Sequence, residues 1–436
     1  MKKLFTYFGL NLLLFSPSFG QDLYFPPLVG DTWETISMEE LGWCPENLPA
    51  LNTYLDDKNS RAFIVLKDGK IVIEEYYNGA DASSLWYWAS AGKTLTATMV
   101  GIAQQEGDLS LTDQTSTYLG DGWTSLTPEQ EGAITIWNQL TMTSGLDDGL
   151  VDPFCTDPEC LVYLAEPGDR WAYHNGPYTL LDGVIEGATG STLNAYCNNK
   201  IETQTGMNGL FIPVDYNNVY YSIARDMARF GLLILNEGNW DGTSVLSDAT
   251  YYNEMVNPSQ DLNKSYGYLW WLNGQESYML PGSEVIFPGS CVPNAPPDMF
   301  AALGKNGQLI NVVPSQNLVL IRMGDNPGGL DGLVSNIFNN VIWDYLNQIM
   351  CETSSTATIE APISVKMYPN PTSELLVVEN IEYTSFTIYN QLGQRVIDGN
   401  LNQGMNQINT SDLGHGIYEI CFENAHAQTH QRLLIN

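Results

Sequence analysis

The chain has 436 residues, 44% of them hydrophobic and only 15% charged, which excludes a disordered polypeptide, a coiled coil and a collagen-like fibre. Lys and Arg number 17 against 50 Asp and Glu, a net charge of −33. A surface so acidic repels phosphate backbones and anionic lipid, which sets aside nucleic-acid and peripheral-membrane binding.

Residues 1–20, MKKLFTYFGLNLLLFSPSFG, combine Lys2 and Lys3, an apolar stretch from Leu4 to Phe15 and Gly20 ahead of Gln21. This is the three-part pattern of a secretory signal peptide, and the stretch is shorter than the roughly 20 residues a spanning helix needs. Export into an oxidising compartment favours disulfides among the seven cysteines over metal binding, since no closely spaced Cys pair of C-x₂-C type occurs. Cys155 and Cys160 flank the loop CTDPEC and suit a short bridge. Cys44, Cys197, Cys291 and Cys351 suit two more of undetermined pairing, leaving Cys421 over.

The segment 61–77 carries two apolar runs around Asp68-Gly69, which predicts a hairpin. In SAGKTLTATMVGIAQQEG, Leu95, Met99, Ile102 and Ala103 recur at helical spacing and Gly107 supplies a stop. The middle third alternates turn-rich stretches with helical patterns over 178–187 and 223–236. Strand patterns return at 267–272, 300–303, 309–313 and 318–323, and an amphipathic helix over 330–349 follows. Strands at both ends around a helical middle predict an α/β fold, one antiparallel sheet with helices on its faces. Residues 351–362, CETSSTATIEAP, read as a linker between a body of 21–350 and a tail of 363–436. Period-two runs separated by Asn/Gly turns make that tail a small β-sandwich. Its VKMYPNPT (365–372), LGQRV, GIYEICF and closing QRLLIN resemble the type A sorting domain of the Bacteroidetes type IX secretion system. That resemblance implies a partner, the secretion machinery, and a secreted or cell-surface location. The bland alternative is a carbohydrate-binding or adhesion β-domain.

Only four histidines are present. Three of them, His415, His426 and His430, fall in the tail; the body keeps only His174. A multi-histidine metal site or two-histidine acid–base catalysis is thereby excluded from the body, and no G-x-S-x-G elbow occurs. Lysine is the natural substitute base. Of ten lysines only Lys93 has a serine three residues earlier, Ser90-Ala91-Gly92-Lys93, so that on a helix the amine lies beside the hydroxyl. Burial near other cations would depress its pKa. A tyrosine held as phenolate by neighbouring amines would shuttle the proton. Tyr173-His174-Asn175 is one of several Y-x-N triplets, so only context selects it.

That context is an ordered set of motifs: SAGKTLTATMVGIAQQEGDLSLTD, ITIWNQLTMTSGL, PGDRWAYHNGPYTLLDGVIEGATG, SIARDMARFGLLILNEGNWDG, YGYLWWLN and AALGKNGQLINVVPSQNLVLIRMG. Together they resemble the serine hydrolases of the class C β-lactamase and penicillin-recognising superfamily, over about residues 45–350. The resemblance implies a β-lactamase/transpeptidase-like antiparallel sheet flanked by helices and no cofactor or metal. It implies Ser90 as nucleophile, Lys93 as its base or base partner and Tyr173 as proton relay. Asn175 would bond Lys93 or the substrate, and Lys305 would open the third motif and keep the Tyr173 pKa low. The oxyanion hole would come from the N–H groups of Ser90 and of Gln308, which follows Lys305-Asn306-Gly307; Asn-Gly is equally a preferred hairpin turn. Asn306 replaces the hydroxyl residue of β-lactamases, and Met142 replaces a usual histidine in a structural position. Trp86, Trp88, Trp270 and Trp271 are candidates for an apolar acyl site or for core, and the loop 280–298 for reshaping the pocket mouth.

The expectation is a secreted hydrolase of a small-molecule ester or short amide, working through an acyl-enzyme on Ser90. A β-lactamase or D,D-peptidase is the alternative within the class, and a non-catalytic surface binding protein the alternative outside it. Beyond the signal peptide no membrane-spanning segment is expected.

Overall fold

The structure, a computed structural model, describes residues 23–149, 152–328, 335–351, 365–380, 383–390, 395–423 and 428–435. The signal-peptide segment 1–20, nearly all of the linker and the first residues of the 330–349 helix lie outside the described residues.

The body begins with helix α1 (Leu48–Asp57) and the hairpin β1 (Ser60–Lys67) and β2 (Lys70–Tyr76). Asp68 and Gly69 turn that hairpin with φ of +52° and +81°, the left-handed pair a tight turn needs. A short strand β3 (Trp86–Tyr87) leads to helix α2 (Lys93–Glu106), which stops at Gly107 in a left-handed cap. Helices α3 (Asn175–Thr179) and α4 (Leu181–Thr189) precede the hairpin β4 (Gly209–Val214) and β5 (Asn217–Ser222). Helix α5 (Ala224–Leu235) is followed by β6 (Trp271–Leu272), β7 (Phe300–Gly304), β8 (Gln308–Val313) and β9 (Leu318–Gly324). Helix α6 (Asn336–Ile349) closes the unit.

The sheet runs β2-β1-β9-β8-β7-β6, every neighbour antiparallel. Strands β8 and β9 are buried at every position, so both faces are covered. Alternation assigns the covers. On one face a Cβ at Gly231 of α5 would meet Val319 Cγ1 at 2.5 Å and Ile310 Cγ2 at 3.3 Å, so α5 lies flush on the sheet because residue 231 has no side chain. On the other, Asn311 and Asn339 of α6 exchange amide hydrogen bonds of 2.7 and 2.9 Å, and Arg322 sits 5.0 Å from the Phe338 ring. Helix α2 is buried from Lys93 to Ala103 and is therefore a core helix rather than an amphipathic surface one. Its threonines are satisfied locally: Thr94 and Thr98 donate to the carbonyls of Ala91 and Thr94.

Strand β6 is shorter than the pattern over 267–272 predicts, because Leu269 turns with φ +63° and only two residues reach β7. The short bridge Cys155–Cys160 is present, but only one of the two further bridges forms, Cys44–Cys351. Cys197 and Cys291 remain buried thiols, each burial raising its pKa. The Cys44–Cys351 bridge ties the entry of α1 to the end of α6 across a separation of 307 residues. A loop that long is worth roughly 5–6 kcal/mol in the chain-entropy account. The double variant Cys44→Ser/Cys351→Ser is expected to melt about 10 °C lower by calorimetry, and Cys155→Ser/Cys160→Ser less. Equal losses would refute the loop-length argument.

In the tail, β10 (Lys366–Tyr368), β11 (Leu375–Asn380) and β14 (Gly404–Asn409) form one antiparallel sheet. A second contains β12 (Ser385–Tyr389), β13 (Arg395–Asn400), β15 (Gly416–Glu423) and β16 (Gln428–Ile435). Leu376, Val378, Ile388, Ile420, Phe422 and Leu433 of the two sheets share one core, as a small sandwich requires.

Candidate active site

The chain is pinned up to Trp88 and released immediately after it. Strand β3 pairs with β5, the Trp88 N–H donates to the Tyr220 carbonyl at 2.8 Å, and the indole donates to Ser222 Oγ at 2.9 Å. Ala89 then takes a left-handed φ of +48°, costly for a residue with a Cβ and typical of functional turns. One 3₁₀ turn, Ala89–Gly92, delivers Ser90 ahead of α2 and Lys93 at its first position. The end of β7 lies against this turn: a Cβ at Gly304 would come within 2.6 Å of the Trp88 carbonyl and 3.0 Å of the Ala91 nitrogen.

Lys93 is 3% exposed. Its Nζ donates to Asn175 Oδ1 at 2.8 Å and lies 3.4 Å from the Tyr178 ring centroid and 5.5 Å from that of Tyr173. Burial drives the amine well below its usual pKa, opposed by the charge of Asp182. Tyr173 stacks on Trp271 at 5.8 Å and meets the edge of Tyr266, which fixes its ring. Burial raises its pKa well above 10, with the Ser90 hydroxyl acting the other way. The expected help from Lys305 does not arise. That side chain is exposed, where water screens an ammonium, and it is not among the groups acting on Tyr173. Burial thus favours the neutral phenol and the neutral amine over a phenolate–ammonium pair.

These groups open on a cavity of about 890 Å³, lined by Ser90, Lys93, Tyr173, Asn175, Lys305 and Asn306 among others. Asn306, with φ +63°, donates its amide to Tyr87 Oη at 2.7 Å. Gly307 and Gln308 do not line the cavity. Gln308 is fully buried, and its side chain is taken up by the N–H and carbonyl of Gly324. Gly307 packs under Phe338 and Arg322. His174 is 3% exposed with Nδ1 unpartnered among the described residues, and burial lowers its pKa to about 4; it does not line the cavity. Met142 has φ +60° and its carbonyl accepts the Ala172 N–H at 2.9 Å, a backbone support for the Tyr173 segment. Among the described residues no cluster of His, Cys, Asp or Glu could hold a metal ion.

A serine one turn before a buried lysine, with a buried tyrosine beside that lysine, on an antiparallel sheet between helix layers is a serine-hydrolase arrangement, and residues 55–330 match the sequence model of the β-lactamase family. The chain belongs to that family. Residues 366–436 match the secretion system C-terminal sorting domain, which directs this β-lactamase-family serine hydrolase through type IX secretion to the cell surface or beyond. No described helix is long and apolar enough to cross a membrane. An uncharacterised protein of Alkalihalophilus pseudofirmus is 23% identical over 64% of this chain and 87% of its own. A structure from Bacteroides dorei described as a β-lactamase has a TM-score of 0.56 at 18% identity, covering 71% of this chain and 99% of that one. A structure from Bacillus anthracis described as a 6-aminohexanoate-dimer hydrolase has a TM-score of 0.55 at 22% identity, covering 69% and 81%. At these identities the structures establish the fold.

The walls of the family's cavity differ from the sequence expectation. None of Trp86, Trp88, Trp270 and Trp271 lines it. Trp88, Trp270 and Trp271 are core, and Trp86 lies under Arg61 with the guanidinium 3.9 Å from its ring. Tyrosines take their place: Tyr87, Tyr178, Tyr216 and Tyr221. Tyr216 and Tyr221 come from the hairpin β4–β5, which sequence reasoning passes over because Pro213 interrupts its apolar alternation. Its two-residue turn, Asp215-Tyr216, is the signal that was available. Tyr216 donates to Asp157 at 2.6 Å, joining the hairpin to the Cys155–Cys160 loop. The loop 280–298 does reach the mouth, through Pro281 and Gly282. Beyond them an adjoining cavity of about 770 Å³ contains Arg170, held by Asp148 and Glu284.

Proposed function

We propose that this exported protein is an acyl hydrolase that cleaves an ester or short amide through an acyl-enzyme on Ser90. Lys93, as a neutral amine, accepts the Ser90 proton through the Tyr173 hydroxyl as Oγ attacks the substrate carbonyl. The tetrahedral oxyanion is held by the N–H of Ser90 and by a strand N–H at the end of β7. For the second donor we favour Lys305 over Gln308, because Lys305 lines the cavity and the preceding Gly304 abuts the Ser90 turn. Tyr173 passes a proton to the departing alkoxide or amine and is reprotonated from Lys93; water then repeats the sequence on the acyl-serine. Asn175 keeps Lys93 aimed. The observation that carries this reading is a desolvated lysine amine beside the rings of Tyr173 and Tyr178, at the start of the helix that follows the Ser90 turn.

An ester or short amide is preferred to a β-lactam because the amide of Asn306 is engaged by Tyr87 and offers no hydroxyl to a β-lactam carboxylate. The test is fluorophosphonate labelling of the full chain with mapping of the adduct, beside hydrolysis of p-nitrophenyl acetate, short amides and nitrocefin. The adduct is expected on Ser90, with ester turnover exceeding nitrocefin turnover. Folded protein that takes no label refutes the enzyme reading, and nitrocefin as the best substrate refutes the ester preference.

A further inference from the structure

Beyond Tyr173 the chain is helical almost without interruption: α3, then Leu180 in right-handed conformation (φ −69°, ψ −11°), then α4. Asn175, Tyr178, Asp182 and Glu186 are spaced three and four residues apart and fall along one stripe. The first two touch Lys93 Nζ. The third, Asp182, is 7% exposed. Its Oδ2 accepts from Asn218 Nδ2 at 2.9 Å, while Oδ1 is buried with no hydrogen-bond partner. Among the described residues no ion pair holds this carboxylate, an expensive condition for a buried acid that needs compensation nearby. The cation whose field it feels is Lys93, and Lys93 in turn feels Asp182. Asn218 belongs to β5 and lines the substrate cavity.

We propose that Asp182 is a positioning residue for the catalytic base: a buried counter-charge, steered by Asn218, that sets how readily Lys93 takes up the Ser90 proton. This rests on Lys93 being the base. The groups that face Asp182 are Lys93 from α2, Tyr178 from α3, Glu186 one turn further along α4, and the Asn218 amide from β5; Tyr173 lies across the Lys93 amine. Lys93 and Asn218 favour the anion, Glu186 disfavours it, and burial outweighs them, pushing the carboxyl up to about 7. Burial thus raises the acid and lowers the amine, each shift opposed by the other group's charge.

The sign follows. An ionised Asp182 favours protonated Lys93, which cannot accept a proton, and so lifts the pH below which activity is lost. In Asp182→Asn that support is gone and the base survives to lower pH. In Asn218→Ala the Asp182 anion loses a donor, and the shift has the same direction and is smaller.

The experiment is the pH profile of kcat/KM for p-nitrophenyl acetate, with the pH profile of fluorophosphonate labelling, on full-length wild type, Asp182→Asn and Asn218→Ala. The acidic limb of Asp182→Asn is expected about one pH unit lower, giving about tenfold more relative activity on the falling limb. A defect of packing alone would lower the whole profile without moving the limb. Superimposable limbs in folded variants overturn the proposal, and Asn218→Ala decides if Asp182→Asn does not fold. Wild type unlabelled at Ser90 removes the parent reading and this one with it. Wild type labelled at Ser90 with an unmoved limb removes only this one.

Discussion

Alanine at Ser90 is expected to lower ester turnover by roughly 10⁴-fold or more, and Lys93→Met to do nearly the same, since the proposed nucleophile and base would act as a unit whose losses do not add. Tyr173→Phe removes the proton relay and is expected to cost about 10²–10⁴-fold, with binding little changed because the ring keeps its stack on Trp271. The discriminating variant is Lys93→Arg. A phenolate–ammonium site would tolerate a permanent cation beside Tyr173. A site working through a neutral amine would not, because a guanidinium does not release its proton. The buried position of Lys93, with Asn175 Oδ1 and the Tyr178 ring as its neighbours, favours the second outcome. Lys93→Arg should therefore be as inactive as Lys93→Met in steady-state p-nitrophenyl ester kinetics. More than about a tenth of wild-type kcat/KM in Lys93→Arg would reject the neutral-amine base.

The features that could be read from sequence are those whose cause is local. The Asp68-Gly69 hairpin and the Gly107 stop each depend on a few neighbouring residues, and each stands in the structure as expected; Ser90 instead falls in a 3₁₀ turn ahead of the helix that Lys93 opens. What sequence withheld depends on burial or on distant partners. The protonation state of Tyr173 is set by how completely Trp271, Tyr266 and the α2 core exclude water, and no motif carries that information. The partner of Cys44 lies 307 residues away, so spacing could not select it from Cys197, Cys291 and Cys351. Asp182 reads as an ordinary polar residue of an amphipathic helix until the fold lays its face on Lys93. Lys305-Asn306-Gly307 was legible both as a turn and as a site motif. The structure makes it a turn whose first two residues face the cavity while the third packs inward.

What holds that turn is a buried charge bonded to its backbone carbonyls, and replacing it should affect stability and activity together. Arg322 is fully buried. Its Nε donates to Ser60 Oγ at 3.0 Å, Nη1 to the carbonyls of Asn306 and Gly307 at 2.5 and 3.1 Å, and Nη2 to those of Lys58 and Asp325 at 2.8 and 3.1 Å. Burial lowers its pKa to about 9, still above neutrality, so the guanidinium stays charged and carbonyl dipoles stabilise it. The same fork therefore gathers the end of α1, the start of β1, the end of β9 and the turn that presents Lys305 and Asn306. Arg322→Met fills the space and leaves those carbonyls without a donor, which is expected to cost about 3–5 kcal/mol and to lower Tm by roughly 5–8 °C. The released turn should also reduce kcat/KM below its wild-type value at temperatures where the variant is fully folded. Arg322→Lys keeps the charge but supplies three donors in place of five and no planar fork, so it should recover part of the stability and less of the activity. Calorimetry beside ester kinetics separates the two effects. An Arg322→Met protein with wild-type Tm would refute the anchoring role. One that is destabilised yet kinetically normal would show that the turn keeps its shape without the guanidinium, and that Lys305 and Asn306 are placed by the strands alone.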